Sequence, residues 1–328
     1  MVTVDQLATD LSAKAAALHR LADHLARNDP YTALPSLLDD EPAAVVLLGV
    51  GAGYYACQAA GMRLRRAGLG AFAESATRAQ LPPGGPDTLV VAVALGSGRR
   101  ELCESLEHYA GSSPVIVLAE SPEAPEARYA DIVAPLMAGD TARELEVLAY
   151  QQAVALLLVL AARLGASTPG VADPAATLRR AANSITDLWE RSPHWVPALA
   201  QTLHGPAGTA LVAPAELLPA AQFGALTLRR GPVLVAHACE TGEWSHVDRY
   251  LAALQDYRAL LFTGSRFDER FAAHLTALRG VFAAVGGDVP GAAMSLRYPG
   301  EQDPDVRLLV DPLVSELLAL HWWRERDA

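Results

Sequence analysis

Lysine is almost missing from this chain of 328 residues: Lys14 is the only one, and every other basic residue is arginine. A mechanism that needs a Schiff-base or general-base lysine therefore has one candidate or none. Cysteine is scarce too. Cys57, Cys103 and Cys239 lie far apart with no C-x-x-C pair, which argues against both a disulfide framework and a zinc site. With a formal net charge of −11 the chain lacks the basic face that phosphate backbones demand, so no nucleic-acid partner is expected. Apolar runs such as "AVALLLVLAARLG" are too short to span a bilayer, and the first residues show no basic segment leading into an apolar stretch and a cleavage site. The expectation is a soluble, cytoplasmic protein with no membrane partner, no metal and no cofactor.

What the chain has in plenty is apolar: 51% of its residues, enough core for one large α/β domain or two of ordinary size. "VDQLATDLSAKAAALHRLADHLARN" spaces its apolar residues as an amphipathic helix and stops at Asn28-Asp29-Pro30. After this N-terminal helical segment (1–40), short apolar runs bounded by Gly or Pro alternate with helical stretches over 41–166, the pattern of a buried parallel sheet wrapped by helices. The segment 167–205 holds Pro, Gly and Ser and then a helix-like run, and reads as a helical connector. From 206 to 328 the pattern restarts: "GTALVAP", a helix "ELLPAAQFGALTLRR", strands "PVLVAHA", "YRALLFTGS", "GVFAAVG" and "DVRLLVD", and a closing helix "PLVSELLALHWWRERD". The fold class is α/β, as two tandem three-layer sandwiches, each a mostly parallel sheet flanked by helices.

"LLGVGAGYYAC", "AVALGSGRREL", "AGDTARELEVLAYQQAVALLLVLAARL" and "PAAQFGALTLRRGPVLVAHACETGEWSH" together resemble double SIS-domain (sugar isomerase) proteins. That family writes a G-x-S-Y loop, an S-x-S-G-x-T loop and an A-G-x-E helix start in its first half. Its second half has an E-G-A-L-K-L-x-E helix and then G-E-x-x-H-G-P. The similarity runs in order from about residue 5 to about residue 325 and is closest to the isomerase half of glucosamine-6-phosphate synthase and to the fructosamine-phosphate deglycases. It implies SIS-type domains, a small-molecule ligand that is a phosphorylated or amino sugar, and a homodimer, because the relatives build each active site partly from the neighbouring subunit.

The resemblance puts the sugar phosphate on loops at the carboxyl ends of the first sheet, held by hydroxyls and by backbone N–H groups at helix N-termini. Gly51, Gly53 and Tyr54 stand on the first loop, with Gly53 where the family has serine. Gly96, Ser97, Gly98, Arg99 and Arg100 stand on the second, where two hydroxyls have gone and two cations have arrived. A helix N-terminus favours an anion and an arginine fork binds phosphate bidentately; the opposing reading is an ordinary turn with two solvated arginines. At the third element, Ala138-Gly139-Asp140-Thr141, threonine replaces the family's glutamate, and Glu144 and Glu146 read as acids at the start of the long helix. Glu74 is in register with a glutamate of the family's second strand and reads as an anchor.

In the second half the resemblance sets Thr227 at the family's lysine, Arg230 at its catalytic glutamate and His246 at its histidine, while the relatives' lysine-bearing tail has no counterpart. The candidate catalytic group is therefore His246, with Glu243 and Arg230 as neighbours. His237, Cys239 and Glu240 lie just upstream, and His237 reads equally as a core residue on a strand. A histidine among carboxylates suits acid–base chemistry. Trp322 and Trp323 read as packing or subunit contacts. Two functions follow: an isomerase or deglycase-like enzyme with altered residues, or a sugar-binding regulatory protein that has lost its base.

Overall fold

The chain is described here by a computed structural model covering residues 3–38, 41–96, 98–139, 144–166 and 173–328. It divides into two units, one of Ala13–Ala182 and one of Thr3–Ser12 with Asn183–Ala328. Helices α1 (Val4–Leu25) and α6 (Pro174–Leu203) contribute residues to both.

In the first unit β1 (Ala44–Gly49), β2 (Ala71–Ser75), β3 (Thr88–Val93), β4 (Val115–Ala119) and β5 (Ile132–Pro135) pair in the order β2-β1-β3-β4-β5, every pair parallel. β1, β3 and β4 are buried along nearly their whole length. A strand covered on both faces needs apolar side chains on both, which is why these strands read as continuous runs rather than as alternations. Helices α2 (Leu34–Leu37), α3 (Ala52–Arg66), α4 (Arg99–Glu107) and α5 (Val147–Arg163) accompany the sheet. One face packs Val46, Val90 and Val117 against Leu102, Leu106 and Tyr109, each such side chain contributing on the order of 1.5–3 kcal/mol by leaving water.

The second unit has five parallel strands, β6 (Thr209–Ala213), β7 (Ala236–Glu240), β8 (Arg258–Phe262), β9 (Val281–Val285) and β10 (Met294–Leu296), in the order β10-β9-β8-β6-β7. Counted from its first strand this is the same order as in the first sheet. Helices α7 (Leu218–Arg230), α8 (Arg249–Ala252), α9 (Asp268–Ala277) and α10 (Pro304–Asp327) complete it. "DVRLLVD", expected as a strand, is instead the first part of α10. Asp303 caps that helix by accepting the Asp305 N–H at 2.9 Å, and Pro304 supplies the first turn. α6 contains Pro193 and Pro197 yet continues as a helix. Pro193 cannot donate to the carbonyl four residues earlier, that of Trp189, and the Ser192 hydroxyl does so instead at 2.7 Å.

Candidate functional site

In a sheet ordered 2-1-3-4-5 the connections leave β1 and β3 in opposite directions, and in open α/β sheets the carboxyl ends of two such strands are where a ligand crevice is usually found. Of the residues singled out in the first half, Gly51, Gly53, Tyr54, Gly96 and Gly98 stand there. Gly51 is the N-cap of α3 with φ of 55°, Gly53 lies in its first turn, and Tyr54 follows half-buried with its ring 6.3 Å from that of Tyr55. Gly96 has φ of 54° and Gly98 is the N-cap of α4. The two turns are pressed together. A Cβ on Gly53 would stand 2.8 Å from the Val93 carbonyl oxygen, and one on Gly98 would stand 2.5 Å from Val50 Cβ. A side chain at Gly53 therefore has no room unless the neighbouring backbone shifts. Ser97, Asp140 and Thr141 lie outside the described residues.

The two arginines part company. Arg100 has 87% of its side chain exposed and pairs with Glu104 one turn on, at 2.9 Å, so it matches the solvated reading. Arg99 turns toward the sheet. Its Nη2 donates to Glu120 Oε2 at 3.1 Å, just past the end of β4, and its Nε lies 3.7 Å from Glu126 Oε1. Glu126, in a single 3-10 turn (Pro125–Tyr129), is fully buried, and neither of its oxygens has a hydrogen-bond partner among the described residues. Burial also pushes the nearby Cys103 thiol up, with Glu126 adding to the effect. Glu74 is mostly buried and pairs with Arg78, in keeping with an anchor. Glu146 is the N-cap of α5 in a left-handed conformation and makes no side-chain capping bond.

At the carboxyl end of β8 in the second sheet, protein groups bond one another. Asp268 Oδ2 accepts the N–H groups of Gly264 and Ser265 at 2.7 and 3.1 Å. Arg307, buried on α10, donates to the carbonyls of Thr263 and Val285 and pairs with Asp311. The N–H groups of Gly264 and Ser265 and the Arg307 guanidinium are thus engaged within the protein. The first crevice is the candidate anion site that the loop residues singled out above mark.

The second-half candidates are spread apart in character. Thr227 is buried and its hydroxyl donates to the Phe223 carbonyl at 3.0 Å. Arg230 is exposed at the last turn of α7. Glu243 opens a short 3-10 turn (Glu243–Ser245) with its N–H donated to Glu240 Oε2, and His246 closes that turn, exposed. Neither the Glu243 carboxylate nor any other described side chain hydrogen-bonds the His246 ring. The histidine with carboxylate support is His237. Its Nε2 meets Asp248 Oδ2, which also accepts the Tyr257 hydroxyl, and Tyr257 in turn receives Trp244 Nε1–H at 3.1 Å. Burial raises the Asp248 carboxyl, but the bonds from His237 and Tyr257 outweigh it and hold the group below its ordinary value. Asp248, Trp244 and Tyr257 were not picked out from sequence, since nothing in their spacing pairs them with position 237. Cys239 is no nucleophile: burial pushes its thiol up to about 12. Lys14 is fully buried. Trp322 and Trp323 are buried as well, which makes them packing residues of this chain. Among the described residues no cluster could hold a metal ion, and no helix is long and apolar enough to cross a membrane.

No protein-family model matches the chain, and no curated protein does. Solved structures do. The C-terminal domain of glucosamine-fructose-6-phosphate aminotransferase from Francisella tularensis superposes with a TM-score of 0.79 at 16% identity, over 98% of this chain and 96% of that one. Tagatose-6-phosphate ketose/aldose isomerase from Escherichia coli gives 0.77 at 14% identity, over 98% and 93%. Glucosamine-6-phosphate deaminase from Thermotoga maritima gives 0.70 at 14%, over 98% and 95%. The chain shares their fold: two parallel five-stranded sheets in three-layer α/β arrangements of the SIS type.

Proposed function

We propose that this chain is a sugar-derivative-binding protein of two SIS-type domains, 41–166 and 206–328, preceded by a helical segment and joined by the 167–205 connector. It binds a sugar phosphate, plain or amino, at the start of α4 through Gly96, Gly98 and Arg99, beside Gly51, Gly53 and Tyr54. The observation that carries this reading is the first crevice: two turns in contact at the carboxyl ends of β1 and β3, each leading directly into a helix N-terminus. A thermal-shift screen of sugar phosphates against their unphosphorylated forms tests it. A bound ligand at a hundred times its Kd stabilises by about 2.7 kcal/mol, and only the phosphorylated members are expected to do so. Equal shifts from both sets would remove the anion site.

The reaction class this reading carries is isomerisation or deglycation, with His246 moving a proton at the carbon beside the carbonyl. A second reading, a binding or regulatory protein without turnover, is favoured by Arg230 at the family's glutamate position and by the lack of a carboxylate on the His246 ring. The homodimer is part of the first reading. Val247, Tyr250, Leu251 and Leu254 directly follow His246 and are exposed, and a second copy would cover them. Light scattering at micromolar concentration should return twice the chain mass; a monomer would remove that element.

A further inference from the structure

At the start of α4 one cation, Arg99, faces two carboxylates from beyond the end of β4. Arg99 faces the half-exposed Glu120, each with 31% of its side chain accessible, and the fully buried Glu126. The two carboxylates differ in what they can do. Glu126 has no hydrogen bond among the described residues and no exposure, so the Arg99 guanidinium at 3.7 Å is the charge that compensates it, and separating the two would strand a buried anion. Glu120 can turn its carboxylate into water at little cost. Its bond to Arg99 Nη2 takes up a donor that a ligand phosphate would need, and its charge repels the incoming anion.

Resting on the anion-site reading above, we propose that Glu120 is a built-in competitor for Arg99: the ligand anion displaces it, while Glu126 keeps the guanidinium at the mouth of α4. Glu120 is a positioning residue in this scheme. It sets how tightly the site holds an anion, and by being displaced it discriminates against weakly charged ligands that cannot replace it.

Titration calorimetry of the full chain with inorganic sulfate and with fructose 6-phosphate tests this. Glu120→Gln should bind both about tenfold more tightly than the wild type, the worth of one charge-assisted hydrogen bond. The same change made in an Arg99→Ala background should alter affinity by less than about twofold, because the gain runs through Arg99. Glu104→Gln removes an equal charge from the exposed Arg100 pair on the same helix and should give no comparable gain. If Glu120→Gln binds no tighter, or if Glu104→Gln tightens binding equally, the competitor role is overturned while the anion site stands. If neither the wild type nor Glu120→Gln binds either probe, the anion site itself is wrong.

Discussion

Arg307→Met is expected to lower the stability of the second unit by about 3–5 kcal/mol, the typical loss when one partner of a buried ion pair is removed. The methionine replaces the apolar stem and none of the bonds. Arg307 Nε donates to Asp311 Oδ2 at 3.0 Å and Nη2 to the Val285 carbonyl at 3.2 Å, and Nη1 reaches the carbonyl of Thr263. Without them Asp311, fully buried, keeps only the Tyr298 hydroxyl. At 2–4 °C per kcal/mol for a domain of this size, the thermal transition should fall by roughly 10 °C. The sign of the pH dependence follows from the same group. Burial already raises the Asp311 carboxyl in the presence of Arg307, and its loss raises it further. Between the ordinary Asp value and the raised folded one, the folded state holds a proton that the unfolded state has released. Stability of the variant therefore falls as pH rises through that window and is partly regained on acidification. Arg307→Met with Asp311→Leu removes both charges and should recover most of the loss. A single variant within about 1 kcal/mol of wild type would show that the pair and its bonds contribute little to the second unit's stability.

The strands that carry the first crevice could be read from sequence because a parallel strand buried on both faces has a one-dimensional signature. "AVVLLG" and "TLVVAV" are such runs, and the glycines after them mark the turns. The start of α10 was not legible: Arg307 and Asp311 lie among apolar residues at a spacing that suits either a strand or a helix. Only the Asp303 cap and Pro304 decide for the helix. The helix-like run of the 167–205 connector is legible as such, but that it continues through Pro193 and Pro197 is not, because the Ser192 hydroxyl that meets the Trp189 carbonyl is seen only in the fold. Arg99 and Arg100 look alike in the sequence. What separates them is Glu120 and Glu126, which lie some twenty residues on, across a strand connection. His237 stands out in the sequence without a partner to define it, since Asp248 comes from a position eleven residues away that only the fold brings near.

On the enzyme reading proposed above, His246→Asn is expected to reduce turnover by about 10²–10⁴, the usual contribution of a positioned acid–base group, while ligand affinity and thermal stability stay close to wild type. The expectation rests on subtraction and on exposure. Arg230 and Thr227 stand where the resemblance calls for a carboxylate and a lysine, and Lys14 is fully buried. His246 is exposed and makes no bond on which the fold depends. His237→Asn is the contrasting variant. It leaves the buried Asp248 carboxylate with one fewer donor, so it should lower stability by about 1–3 kcal/mol, with turnover per folded molecule retained. The two histidines thus separate chemistry from architecture: one variant should change the rate without the melting transition, the other the transition without the rate. Full activity in His246→Asn would take that residue out of the mechanism, and loss of turnover in His237→Asn at unchanged stability would move the proton-transfer role to the Asp248-supported ring. Binding of sugar phosphates by the wild type with no turnover of any would leave the regulatory reading in place, with Arg230 marking where the base was lost.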